Sequence, residues 1–180
     1  MSFTLGNLAA ILAGLLFIAI GGVLIRAATL PTSFQISRSV ILSAPPEKVY
    51  PMIANLRHWN GWNPFAKSDP QAQITYCGPD EGVGAHYSWT SAGPSGVGNM
   101  TVTGTMPQAI HMDLNFEKPF AAQNKVVFGV VPQDTGTKVS WTMSGASPFM
   151  NRIFSVFMNP DTFVGREFEK GLADLKAQVD

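Results

Sequence analysis

The spacing of apolar residues changes character twice along the chain. From Leu5 to Ile25 the residues are almost all apolar, and no charged side chain occurs between Met1 and Ile25. At roughly 1.5 Å rise per residue such a run crosses the ~30 Å hydrocarbon core of a bilayer, which predicts a transmembrane helix. From Phe34 onward the period is two. Phe34, Ile36, Arg38, Val40 and Leu42 alternate with Gln35, Ser37, Ser39 and Ile41. In the last stretch the period becomes helical: Val164, Phe168, Leu172, Leu175 and Val179 form one apolar stripe. Arg166, Glu167, Glu169, Lys170, Asp174 and Lys176 fill the other face, and Asn159-Pro160 reads as a cap followed by proline at the first helical position. Ile153, Phe154, Phe157 and Met158 predict a shorter helix before it.

Between the first strand and the final helix lie two kinds of segment. Ser43-Ala44-Pro45-Pro46-Glu47 opens a helix capped near Ser43 or Ala44, with Val49, Tyr50, Ile53 and Leu56 on its apolar face. His58-Trp59-Asn60-Gly61-Trp62-Asn63-Pro64 predicts another short helix, and Trp59 and Trp62 suit packing onto a sheet. After that the period-two pattern returns. Gln73–Tyr76 is a short strand; Ala85, Tyr87 and Trp89 alternate with His86 and Ser88. Met100, Val102, Gly104 and Met106 are followed by a turn at Pro107-Gln108. Ile110, Met112, Leu114 and Phe116 make the next strand, then Val126, Phe128 and Val130, then Val139, Trp141 and Met143. Repeated alternation with short turns predicts an antiparallel sheet with one apolar and one polar face. The final stripe must bury itself, and the concave face of that sheet is its natural partner.

The domain plan is therefore an anchor over 1–26, a linker over 27–33 and one α+β domain over 34–180. Arg26, Arg38 and Lys48 follow the span and favour a cytoplasmic domain; the alternative is an extracytoplasmic one. Gly6, Ala10 and Gly14 share a helical face on which a transmembrane partner helix could approach closely. Twelve basic and twelve acidic residues cancel, so no basic excess points to nucleic acid. Cys77 is the single cysteine, which excludes an intrachain disulfide.

Three segments carry a resemblance: Arg38-Ser39-Val40-Ile41 with Ala44-Pro45-Pro46-Glu47-Lys48-Val49-Tyr50, Trp59-Asn60-Gly61-Trp62-Asn63-Pro64, and Phe168-Glu169-Lys170-Gly171-Leu172-Ala173-Asp174-Leu175-Lys176. Together with the order of elements, they resemble the bacterial polyketide cyclase/dehydrase-like members of the SRPBCC superfamily. This is the helix-grip fold shared by the birch pollen allergen and START lipid-transfer domains. The resemblance spans about Phe34 to Val179. It implies a curved antiparallel sheet around the long C-terminal helix, with a cavity between them for an apolar molecule. The lining expected of it is Tyr87, Trp89, Met100, Val102, Met106, Ile110, Met112, Leu114, Phe116, Phe128, Trp141, Met143, Phe168 and Leu172; the same residues also suit a solid core.

Catalytic constellations are weak. His58, His86 and His111 are not at metal-ligand spacing, and Cys77 has no nearby partner. Gly93-Pro94-Ser95-Gly96-Val97 lacks the second glycine of a nucleophile elbow. Gly82-Val83-Gly84 and Gly96-Val97-Gly98 precede strands and read as turns. Asp113 falls on a polar strand face, away from any acid–base pairing with Glu117. The expectation is a membrane-anchored carrier of a lipid, quinone or polyketide-like compound, with no cofactor and no metal. A cyclase/dehydrase-type enzyme and an accessory subunit of a membrane complex are the alternatives.

Overall fold

The computed structural model describes residues 5–93 and 95–180, and the side chains of all of these except Leu5, Leu8 and Ala10. The Gly6–Ala10–Gly14 face and the Gly93–Val97 segment therefore lie partly outside the described residues, as do residues 1–4 of the expected anchor. The chain divides into two compact units, one of residues up to Ser33 with Ser147–Pro160, the other of Phe34–Ala146 with Asp161–Asp180.

The first unit contains α1 (Leu5–Thr29) and α5 (Phe149–Phe157). Ile11–Thr29 is long and apolar enough to cross a membrane, and Leu15, Leu16, Phe17 and Ile18 are all exposed. The helix outruns its expected end at Arg26. Ala27 and Ala28 extend it, and Thr29 Oγ1 donates to Arg26 O at 2.8 Å within the last turn. The first three residues of the expected linker, Ala27–Thr29, are thus helical. Pro31 then prevents continuation.

The second unit is built on a seven-stranded sheet in the order β1-β7-β6-β5-β4-β3-β2. The strands are β1 (Ser33–Leu42), β2 (Gln73–Cys77), β3 (His86–Thr90), β4 (Val97–Met106), β5 (Ala109–Lys118), β6 (Ala122–Gln133) and β7 (Gly136–Ala146). The registers from β2 to β7 are antiparallel, as the hairpin turns require. Alternation decides which residues face inward. Val130, Phe128 and Val126 of β6 are buried, while Val131 and Lys125 face solvent.

α6 (Pro160–Val179) lies on the inward face with Phe168, Leu172 and Leu175 buried. Polar contacts fix it along β1. Arg38 Nε donates to Glu169 at 2.8 Å and Arg38 Nη2 to Asp161 at 3.0 Å. Asp180 Oδ1 accepts from the backbone N–H groups of Ser43 (2.8 Å) and Ala44 (3.1 Å). The next helix, α2 (Pro46–Ala54), starts later than expected, with Pro45 in the cap position and no side-chain cap. Asp180 has taken up the N–H groups of the two residues expected to cap it. A 3₁₀ turn (Leu56–His58), α3 (Trp59–Trp62) and α4 (Pro64–Ser68) complete the cover.

Candidate ligand-binding face

The inward face of the sheet has two differently built regions. The first is an aromatic cluster under α3, α4 and α6. The Trp141 and Phe168 rings stack with centroids 4.2 Å apart and an interplanar angle of 8°. Phe128 lies 5.0 Å from Trp141, Trp62 lies 5.6 Å from Trp141, and Trp59 lies 5.1 Å from Trp62. Gly171 of α6 rests against Trp141 and Pro64: a β-carbon there would stand 2.9 Å and 2.8 Å from them. Only glycine lets α6 approach this closely, so ring atoms fill the space between helix and sheet here. Trp59 Nε1 donates to Ile53 O at 2.8 Å and Trp62 Nε1 to Met52 O at 3.0 Å, which locks α3 onto α2. Trp141, only 3% exposed, differs: its buried Nε1 has no acceptor. An orphan donor of this kind costs about 1–3 kcal/mol.

The second region is a ladder of rings across the other half of the sheet. Tyr76 (β2) lies 5.7 Å from Tyr87 (β3), Tyr87 lies 5.5 Å from Trp89, and Trp89 lies 5.7 Å from Phe116 (β5). Tyr76, Tyr87 and Phe116 are only half-buried. Strand β4 runs between Trp89 and Phe116, and its Gly98 is paired with both. A β-carbon on Gly98 would collide with the Trp89 ring and with Asn115 O, so the missing side chain is what lets the ladder cross β4. Trp89 Nε1 donates to Ser95 O at 2.9 Å, which holds the ring in place. Met100 and Leu114, paired with each other, continue the apolar surface beside the ladder.

Few polar groups reach this face. Burial pushes the Tyr87 hydroxyl up to about 12, with a smaller contribution from the neighbouring Tyr76, so it stays protonated at ordinary pH. Asn124 points inward between strands, opposite Leu114 and beside Gly145, and is buried. At the ladder's outer end Arg57 lies 4.6 Å above the Tyr76 ring and donates to Asp80 at 2.9 Å. Asn60 Nδ2 donates to the Tyr76 hydroxyl at 3.1 Å.

The sequence matches, over residues 33–180, the family described as polyketide cyclase / dehydrase and lipid transport. The chain belongs to this family. Its fold is the SRPBCC type. A Bacillus halodurans protein solved in solution is 18% identical with a TM-score of 0.59, over 83% of this chain and 100% of that one. Ara h 8.0201 is 11% identical with a TM-score of 0.54, over 82% and 97%. The di-domain ARO/CYC protein StfQ from the steffimycin biosynthetic pathway is 8% identical with a TM-score of 0.63; 82% of this chain covers 51% of it. At these identities the likeness is one of fold. No curated protein matches the sequence.

Within this family member, the residues expected to line a cavity divide between the two regions. Phe128, Trp141, Phe168 and Leu172 belong to the filled cluster; Tyr87, Trp89 and Phe116 belong to the ladder. Met100, Val102, Ile110, Met112 and Leu114 are buried on the inward face between them, and Met143 is half-buried at its β7 edge. Met106 departs from expectation: it is 56% exposed. A register shift between Val102 and Gly104 inverts the alternation, so that Thr105 pairs with inward Ile110 and Met106 with Ala109. His86 and Asp113 are on the outer face, bonded to Thr101 at 2.8 Å and Lys125 at 2.6 Å. His58 Nδ1 lies 3.1 Å from Pro51 O. Asn124 was not among the expected lining residues, because a single asparagine before an apolar run carries no signal of facing inward.

Proposed function

We propose that the protein is a membrane-anchored binding protein for an apolar small molecule of the lipid, quinone or polyketide class, held against the Tyr76–Tyr87–Trp89–Phe116 ladder. The observation that carries this reading is the ladder itself. Three of its four rings are partly exposed on an otherwise buried apolar face, in a family described by lipid transport as well as by cyclase chemistry. Ligand sites are concave, mainly apolar and aromatic, with a few placed polar groups. Here the Tyr87 hydroxyl, held protonated, is a donor rather than a proton acceptor. Arg38 is engaged by two carboxylates. This favours carriage over proton-transfer chemistry. α1 supplies the anchor, because its exposed apolar side chains match a bilayer in length and composition.

The test is mass spectrometry of small molecules extracted from protein purified in mild detergent, compared with a Leu114→Trp variant that fills the face beside the ladder. One species enriched with the parent and lost from the variant supports the reading. Identical extracts from the two proteins contradict it. Arg26, in the last turn of α1, supports a cytoplasmic domain. Cys77, exposed at the end of β2, should then stay unlabelled by an impermeant maleimide in intact cells and react after lysis.

A further inference from the structure

Helix α5 is strongly amphipathic. Phe149, Met150, Ile153, Phe154 and Phe157 share one broad face, and Asn151, Arg152 and Ser155 the other. Met150, Phe154 and Phe157 recur at steps of four and three, and they are 58%, 56% and 75% exposed. A contiguous exposed stripe of large apolar side chains marks an interaction surface. α5 belongs to the same compact unit as α1 and is fastened to its C-terminal end. Arg152 Nη1 donates to Leu30 O at 3.2 Å and to Ala28 O at 3.4 Å, carbonyls at the end of α1 where the helix leaves acceptors open. Ser147 N donates to Thr32 O at 2.7 Å. Ala27 is fully buried on the α1 side.

We propose that α5 is an interfacial membrane helix, whose Met150–Phe154–Phe157 stripe inserts among lipids at the surface where α1 leaves the bilayer. The inference rests on reading α1 as the anchor. Given that, the position of α5 follows from geometry. Packed helices lie about 8–10 Å apart, and interfacial helices sink their apolar face about 5–10 Å into the headgroup boundary. A helix bonded to the last turn of a transmembrane span therefore cannot leave that zone. The bilayer is the occupant that α1 itself brings to the stripe. The Arg152 guanidinium that caps the carbonyls at the end of α1 also lies 5.3 Å from the Phe149 ring.

The experiment uses the full chain with Cys77→Ser and one new cysteine carrying an environment-sensitive fluorophore, reconstituted in phosphatidylcholine vesicles. Cysteines are placed by Ile18→Cys in α1, Phe157→Cys in α5 and Asp134→Cys in the β6–β7 turn. Emission from Ile18 and Phe157 should be blue-shifted, quenched by nitroxide lipids and shielded from aqueous iodide; Asp134 should behave in the opposite way. Quenching at Ile18 with Phe157 open to iodide overturns the interfacial helix and leaves the anchor standing. A Phe157 label shielded from iodide yet untouched by nitroxide lipid means a protein covers the stripe, which also overturns it. If Ile18 itself escapes the nitroxide, the anchor reading fails and this inference falls with it.

Discussion

The aromatic cluster and the aromatic ladder lie on the same face of one sheet and obey the same alternation, yet one is closed and the other half-open. The cluster around Trp141 is covered from above: Phe168 stacks on it, Phe65 and Trp62 meet it edge-on, and Gly171 lets α6 approach. The ladder's rings touch mainly one another, side by side along the sheet. An inward-facing aromatic residue thus becomes closed core or half-open surface according to what the helices cover. Strand periodicity alone does not decide it.

The largest expected effect breaks the closed side. Trp141→Ala removes the ring on which Phe128, Phe168 and Trp62 converge, and should cost about 3–5 kcal/mol. Phe116→Ala in the ladder should cost clearly less, because its ring is only partly buried. Denaturant midpoints of the full chain in detergent, with unchanged slopes, measure both. Equal losses would erase the distinction between the two regions. A smaller effect sharpens the ladder. Gly98→Ala places a methyl group against the Trp89 ring and Asn115 O, and overpacking of this kind costs about 1–3 kcal/mol. The same variant should weaken binding of an apolar probe by displacing Trp89; stability loss with binding unchanged would show that the ladder is not the site.

The smallest effect is a titration. Folded Tyr87 keeps its proton up to about 12, against 10.0 for an ordinary phenol. Between those values the folded state holds a proton that the unfolded chain has released. Stability present below pH 10 is therefore lost as the pH rises through this window. Burial raises the Tyr50 hydroxyl as well, so phenolate absorbance should show late titration ending with Tyr87, and Tyr87→Phe should remove that last component.

Much of this was legible in the sequence. The period-two runs fixed the strands, and the Val164–Val179 stripe fixed α6 and its buried side. The spacing of Trp59 and Trp62 points to packing, and both are buried. Met106 faces out against the strand pattern because a register shift leaves no compositional mark. The division of the inward face was hidden for a different reason: covered and uncovered aromatic positions have the same alternation. The unsatisfied Trp141 Nε1 depends on three-dimensional neighbours that no spacing encodes. α5 was visible as an apolar helix, but its grouping with α1 depends on backbone contacts such as Arg152 to Leu30 O. Arg38 also broke pattern, as a charge on an inward strand position, and Asp161 and Glu169 of α6 explain it.

The central claim is that the ladder, and not the cluster, receives the ligand. A brominated fatty acid tests it most directly, because bromine quenches tryptophan only at contact range. Of the four tryptophans, only Trp89 stands in the ladder. Titration of the parent protein should quench part of the emission to saturation. Trp89→Phe, which keeps an aromatic ring in the ladder, should bind the same fatty acid by equilibrium dialysis with that quenching abolished. Undiminished quenching in Trp89→Phe would move the ligand to Trp59, Trp62 and Trp141 and contradict the account, as would a parent protein that binds none.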